Sequence, residues 1–151
     1  MHALATMADT ATELAGWLRL QHLAGVGPVA ARALLARFGL PPQIFAAPFE
    51  VLREVVPASV ARAIVQPPKP VANSQLALTL QWLQRPGNAV LTLADAAYPP
   101  LLLEIADPPL LLYVRGRAEL LSRPGVAIIG SRNASAQGMQ NAAAFAQALS
   151  A

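Results

Sequence analysis

Gly130-Ser131-Arg132 is the stretch whose residue types and spacing could do chemistry, and the chemistry is anion binding. Gly130 lets a backbone or a phosphate approach closely, Ser131 offers a hydroxyl, and Arg132 offers a guanidinium fork that matches phosphate oxygens. Gly130 follows a short apolar run, Val126-Ala127-Ile128-Ile129, which itself follows Pro124-Gly125. Such a run predicts a strand covered on both faces of a parallel sheet. From Ser135 the period changes: Met139, Ala142, Ala146 and Leu149 recur at helical spacing, and Ser135 is placed to cap that helix. In open α/β sheets ligands sit beyond the carboxyl ends of the strands, where helix N-termini present unpaired N–H groups. Gly130-Ser131-Arg132 falls at such a place. The alternative is a tight strand-to-helix turn with a solvated arginine. The spacing matches neither a G-x-G-x-x-G fingerprint nor a P-loop, which argues against a standard nucleotide cofactor; no cofactor is expected.

Tyr98-Pro99, Leu102, Ile105, Asp107-Pro108-Pro109, Leu112-Tyr113, Gly116 and Val126-Ala127-Ile128-Ile129-Gly130-Ser131-Arg132 occur in order along the chain, with Gly138 beyond them. Together they resemble the DNA-processing protein A family (DprA, also called Smf). The resemblance implies single-stranded DNA binding in natural transformation, protecting incoming strands and loading the RecA recombinase, and no catalysis. It implies DNA-phosphate binding at Gly130, Ser131 and Arg132, and a homodimer for the full-length protein. It also implies the fold class: α/β, with a small all-α helix-hairpin-helix (SAM-like) N-terminal domain followed by the beginning of a Rossmann-like doubly wound parallel sheet. The rival classes are a nucleotide-processing hydrolase of the lysine-decarboxylase-like group and a helix-hairpin-helix DNA-repair accessory.

The chain has 151 residues, 55% hydrophobic and 13% charged, a globular composition. Its formal net charge of +3 and pI near 10.2 suit a polyanionic partner without demanding one. Lys69 is the only lysine, so the basic surface is built of arginine. Without cysteine there is neither a disulfide framework nor a thiolate metal site, and a cytoplasmic location is expected. No run is long and apolar enough to suggest a signal peptide or a membrane span.

In chain order, residues 1–11 read as a leader and residues 12–66 as the helical domain. Leu20 to Leu35 has the pattern helix, tight hairpin, helix, with Gly25-Val26-Gly27 at the turn and Pro28 in the first turn of the second helix. In a helix-hairpin-helix motif such glycine N–H groups face a phosphate, so Gly25, Gly27 and Arg32 form a possible secondary DNA contact. An αα-hairpin needs turn glycines without DNA as well, and Val29 stands where DNA-binding versions often carry a basic residue. His22 has no companion at metal-ligand spacing, and no metal site is expected. Pro41-Pro42 closes the second helix. Breaks at Pro48 and Pro57 divide residues 43–65 into short helices, with Phe45, Phe49, Leu52, Val56, Val60 and Ile64 on their apolar faces.

Residues 67–70 (Pro-Pro-Lys-Pro) read as a stiff linker, and residues 71–151 as an incomplete Rossmann-like domain that opens with a helix over 71–84. Strands are expected at 89–93, 110–114 and 126–129. Asp95 and Asp107 lie in loops with no nucleophile or metal companion. Tyr98 and Tyr113 read as packing residues rather than base-stacking ones. The sequence ends inside the helix that begins near Ser135, so the sheet is expected to be incomplete, with the third strand lacking neighbours.

Overall fold

The computed structural model describes residues 2–67 and 70–150. Local sequence sets most helix boundaries. Helix α1 (His2–Gln21) leads into the hairpin, and α2 (Pro28–Phe38) starts with proline in its first turn and stops at Gly39, whose N–H donates to Leu35 O at 2.9 Å. Helix α3 (Pro41–Ala46) then opens on the same proline pair that ends the preceding turn, because a first-turn residue needs no intrahelical N–H. Pro48 and Pro57 precede α4 (Phe49–Leu52) and α5 (Ala58–Val65). Helix α6 (Pro70–Leu83) comes next; residues 68 and 69 of the expected linker lie outside the described residues.

Helical backbone also covers 2–11, the stretch expected as a leader. That segment contains several alanines and neither proline nor glycine, so nothing local breaks a helix that α1 already needs.

Leu14, Trp17, Leu18 and Leu20 of α1 are buried with Ala31, Leu34, Ile44, Leu52, Val56, Val60, Ala61 and Ile64 from the other helices. The expected face of 52, 56, 60 and 64 is therefore the one buried, with Phe45 and Phe49 partly covered at its margin. Leu110 and Leu111 join the same cluster, so the helices and the β-structure share one core.

Strand β1 (Asn88–Thr92) pairs with β2 (Leu111–Arg115), with Val90 opposite Tyr113. The pairing is antiparallel, which corrects the expected parallel sheet for these two strands. Parallel neighbours need a crossover that carries the chain back to its starting end. Here the connection holds only the one-turn helix α7 (Pro100–Leu103) and closes on itself. Asp95 caps the turn after β1, its Oδ2 accepting from Thr92 N (2.6 Å) and Thr92 Oγ1 (2.8 Å). Tyr98 Oη donates to Pro109 O at 2.8 Å.

The third expected strand is corrected too. Residues 124–131 follow a 3-10 helix (Ala118–Ser122) without joining a ladder, and Val126 and Ile129 are 72% and 92% exposed. An apolar run becomes a strand only when neighbours satisfy its N–H and C=O groups, and among the described residues none lies beside it. The final helix, α8 (Ala136–Leu149), forms where the period change placed it, with Ser135 Oγ accepting from Gly138 N at 3.1 Å. Its C-terminal end turns back beside Pro124 to Ile128, with Ala146 and Leu149 lining the intervening groove.

Tyr98 gives this fold an alkaline limit. The side chain is 2% exposed, and burial pushes its hydroxyl pKa above the ordinary 10.0. As pH rises past that value the unfolded chain gives up the phenol proton first. The contribution of this group to stability is then constant below about pH 10 and falls above it. Urea midpoints measured from pH 7 upward should show this decline, and Tyr98→Phe should flatten it while losing about 1 kcal/mol at neutral pH with the hydrogen bond. An alkaline slope unchanged in Tyr98→Phe would assign the decline to another group.

Candidate phosphate site

The loop between the extended segment and α8 carries Gly130, Ser131 and Arg132 together on the surface. A Cβ added at Gly130 would meet nothing within 4 Å, so packing within the chain does not account for the glycine, and the space over its backbone is open. Ser131 Oγ accepts from Asn133 N at 3.2 Å, which fixes the turn and leaves the hydroxyl hydrogen free to donate outward. Arg132 is exposed and has no ion pair among the described residues. Beyond three intervening residues come the unbonded amides of the first turn of α8. The Ser135 cap takes Gly138 N, while Ala136 N and Gln137 N have no acceptor among the described residues. A guanidinium, a hydroxyl and two free helix N–H groups are thus contributed within the seven residues from Ser131 to Gln137. Their common ligand chemistry is an oxyanion.

The hairpin residues are placed differently. Gly25 has φ +83°, a conformation that costs a side chain dearly, and a Cβ there would come within 3.0 Å of Val60 Cγ2. The glycine is thereby required by the fold whether or not DNA binds. Gly27 precedes α2 in extended conformation, open to solvent. Arg32 reaches away from the turn, its Nη1 donating to Ile105 O at 3.3 Å. Gly25 and Gly27 share one turn, and Arg32 ties α2 to the loop after α7 instead of joining them. His22 Nδ1 donates to Leu18 O, 2.8 Å away at the end of the preceding helix.

Sequence reasoning missed Arg19 altogether and, for Tyr113, the partners it packs against. Arg19 sits over the Phe45 ring at 3.8 Å and donates to Ile64 O and Gln66 O. Tyr113 meets Trp82 edge to face at 5.4 Å and shares a hydrogen bond with Thr79. Each joins residues far apart in the chain, and no local spacing signals either contact.

Residues 89–151 match the family model of DNA recombination-mediator protein A. The DNA processing protein DprA of Streptococcus pneumoniae (strain ATCC BAA-255 / R6) is 41% identical over 58 residues, a stretch covering 38% of this chain and 21% of that relative. The matched region includes β1, β2, the Gly-Ser-Arg loop and α8, so the resemblance read from Tyr98 to Arg132 holds over the elements that build the loop. The aligned stretch spans about a fifth of the relative. Among the described residues, no helix is long and apolar enough to cross a membrane.

Proposed function

We propose that this chain takes part in DNA recombination by holding single-stranded DNA through its phosphates at the loop of Gly130, Ser131 and Arg132. The observation that carries the reading is the exposed loop itself, with an unpaired guanidinium in the segment that leads into two unbonded amides at the start of α8. The match of the surrounding residues to a recombination-mediator family supports DNA as the source of the oxyanion. In this reading Val126–Ile129 and α8 form the first strand–loop–helix unit of a Rossmann-like parallel sheet, whose other strands pair with it in the whole protein. The whole protein is a homodimeric, non-enzymatic cytoplasmic factor that protects incoming single strands during natural transformation and loads RecA onto them. No bond is made or broken. The loop supplies charge and oriented donors, and the strand is released when a recombinase competes for the same phosphates.

Anisotropy titration of labelled oligo-dT at low and moderate salt tests the loop. Arg132→Ala should weaken binding several-fold and reduce the slope of log affinity against log salt by roughly 0.7, the share of one phosphate contact on a single strand. Affinity and slope both unchanged in Arg132→Ala would make the loop a turn only.

A further inference from the structure

A second basic surface lies at the far end of the β-pair, away from the Asp95 turn. Arg115 ends β2 opposite the neutral Asn88, and the ladder closes there with Gly116 N donating to Gly87 O at 2.7 Å. Arg85 and Arg117 flank those two glycines in sequence, so three arginines converge on one end of the sheet. All three are exposed, and among the described residues none forms an ion pair; Glu119, also exposed, is the nearest acid in sequence.

Aromatic surface adjoins these charges. Tyr113 and Arg115 are two apart on β2 and therefore lie on one face of the pair. Tyr113 is 45% exposed, and its ring is held on two sides: Trp82 packs edge to face against it, and Thr79 Oγ1 lies 3.0 Å from its hydroxyl. Trp82 sits in the last turn of α6, and Arg85 N donates to its carbonyl, so the arginine follows within one turn of the residue that packs on Tyr113. A half-exposed, pinned aromatic ring beside unpaired guanidinium groups is not needed by the core, which is built from other residues.

The geometry points to a second nucleic-acid contact, in which Tyr113 stacks on a base of a single strand while Arg85, Arg115 and Arg117 neutralise its phosphates. A duplex hides its base faces, whereas a single strand offers a π-face and a phosphate at each nucleotide. A ring held in place beforehand loses little freedom on stacking. This inference rests on the reading of the chain as a single-strand binder and not on the Gly-Ser-Arg loop, and every residue it uses lies within the chain.

The test is oligo-dT binding by the intact chain, together with photocrosslinking of bromodeoxyuridine-substituted oligo-dT and identification of the crosslinked peptide. The expected crosslink falls on the peptide carrying Tyr113, and it persists in Arg132→Ala. The Arg115→Ala/Arg117→Ala pair, at exposed positions, should weaken binding about tenfold and lower the salt slope by about 1.4, twice the single-contact value. Tyr113→Ala should weaken binding about tenfold, while Tyr113→Phe, which keeps the ring, should match the parent. Binding lost in Arg132→Ala but unchanged in the arginine pair and in Tyr113→Ala would uphold the loop and overturn this surface; the reverse pattern would uphold the surface and overturn the loop. No binding even at low salt would overturn both. Equal competition by polyglutamate would overturn the single-strand assignment in favour of an acidic protein partner.

Discussion

Replacing Trp17 by alanine should cost about 3–5 kcal/mol in chemical denaturation, the largest single-residue effect expected in this protein. Trp17 is 1% exposed near the C-terminal end of α1 and belongs to the cluster shared by the helices and β2. It also borders two clefts of about 320 and 330 Å³, one reaching Leu93 and Pro108 and the other Asn88 and Thr92. Truncation leaves a void between them that rigid neighbours cannot close. Domains are stable by only about 5–15 kcal/mol, so much of the folded state's margin would go. Trp17→Phe should behave very differently. The indole Nε1 is buried without a hydrogen-bond partner, and a buried unpaired donor is itself destabilising. Phenylalanine gives up some buried area but removes that donor, so its cost should stay below about 1.5 kcal/mol. Equal losses in the two variants would show that the indole is held by something other than packing.

Arg19→Ala should lower stability by about 2–4 kcal/mol, although arginine is ordinarily a surface residue. Its Nη2 donates to Ile64 O at 2.8 Å and Gln66 O at 2.6 Å, carbonyls at the C-terminal end of α5 that have no intrahelical partner. The guanidinium also covers the Phe45 ring at 3.8 Å, and its charge faces the negative end of the α5 dipole. One side chain thereby joins α1, α3 and α5. Burial exacts a cost: desolvation lowers the guanidinium pKa below its usual value, and Nε is buried without a partner. The pKa remains far above neutrality in effect, since guanidinium is not deprotonated in proteins. Arg19→Lys keeps the charge without the planar fork and should recover about half of the loss. The Arg53–Glu50 pair provides the contrast. Its side chains lie 3.2 Å apart but are 56% and 74% exposed, so Arg53→Ala should change stability by less than about 0.5 kcal/mol. Urea midpoints for the three variants check the ordering, and Arg19→Ala behaving like Arg53→Ala would remove Arg19 from the structural core.

Residues whose role is local were legible in the sequence. Pro28 starts α2, Gly39 ends it, Pro48 and Pro57 separate the short helices, and Ser135 caps α8, because each acts through backbone groups within about one turn. The Gly-Ser-Arg loop was legible for the same reason: the strand-like run, the turn and the cap follow one another directly.

Pairing was decided elsewhere. The strands near 89–93 and 110–114 were visible as apolar runs, yet their antiparallel direction depends on a connection closed by Asp95 and Tyr98. Val126 to Ile129 looks like any buried strand, and only the absence of an adjacent ladder among the described residues leaves it extended and exposed. Arg19, Arg32 and Tyr113 drew their roles from partners 45, 73 and 34 residues away. By itself the sequence determined where helices start and stop, which faces are apolar and where the glycine turn before α8 falls; the tertiary structure alone decided which strands pair and which arginines are spent on carbonyls, because a backbone group or a guanidinium takes its energy from whatever partner the fold brings within about 3 Å.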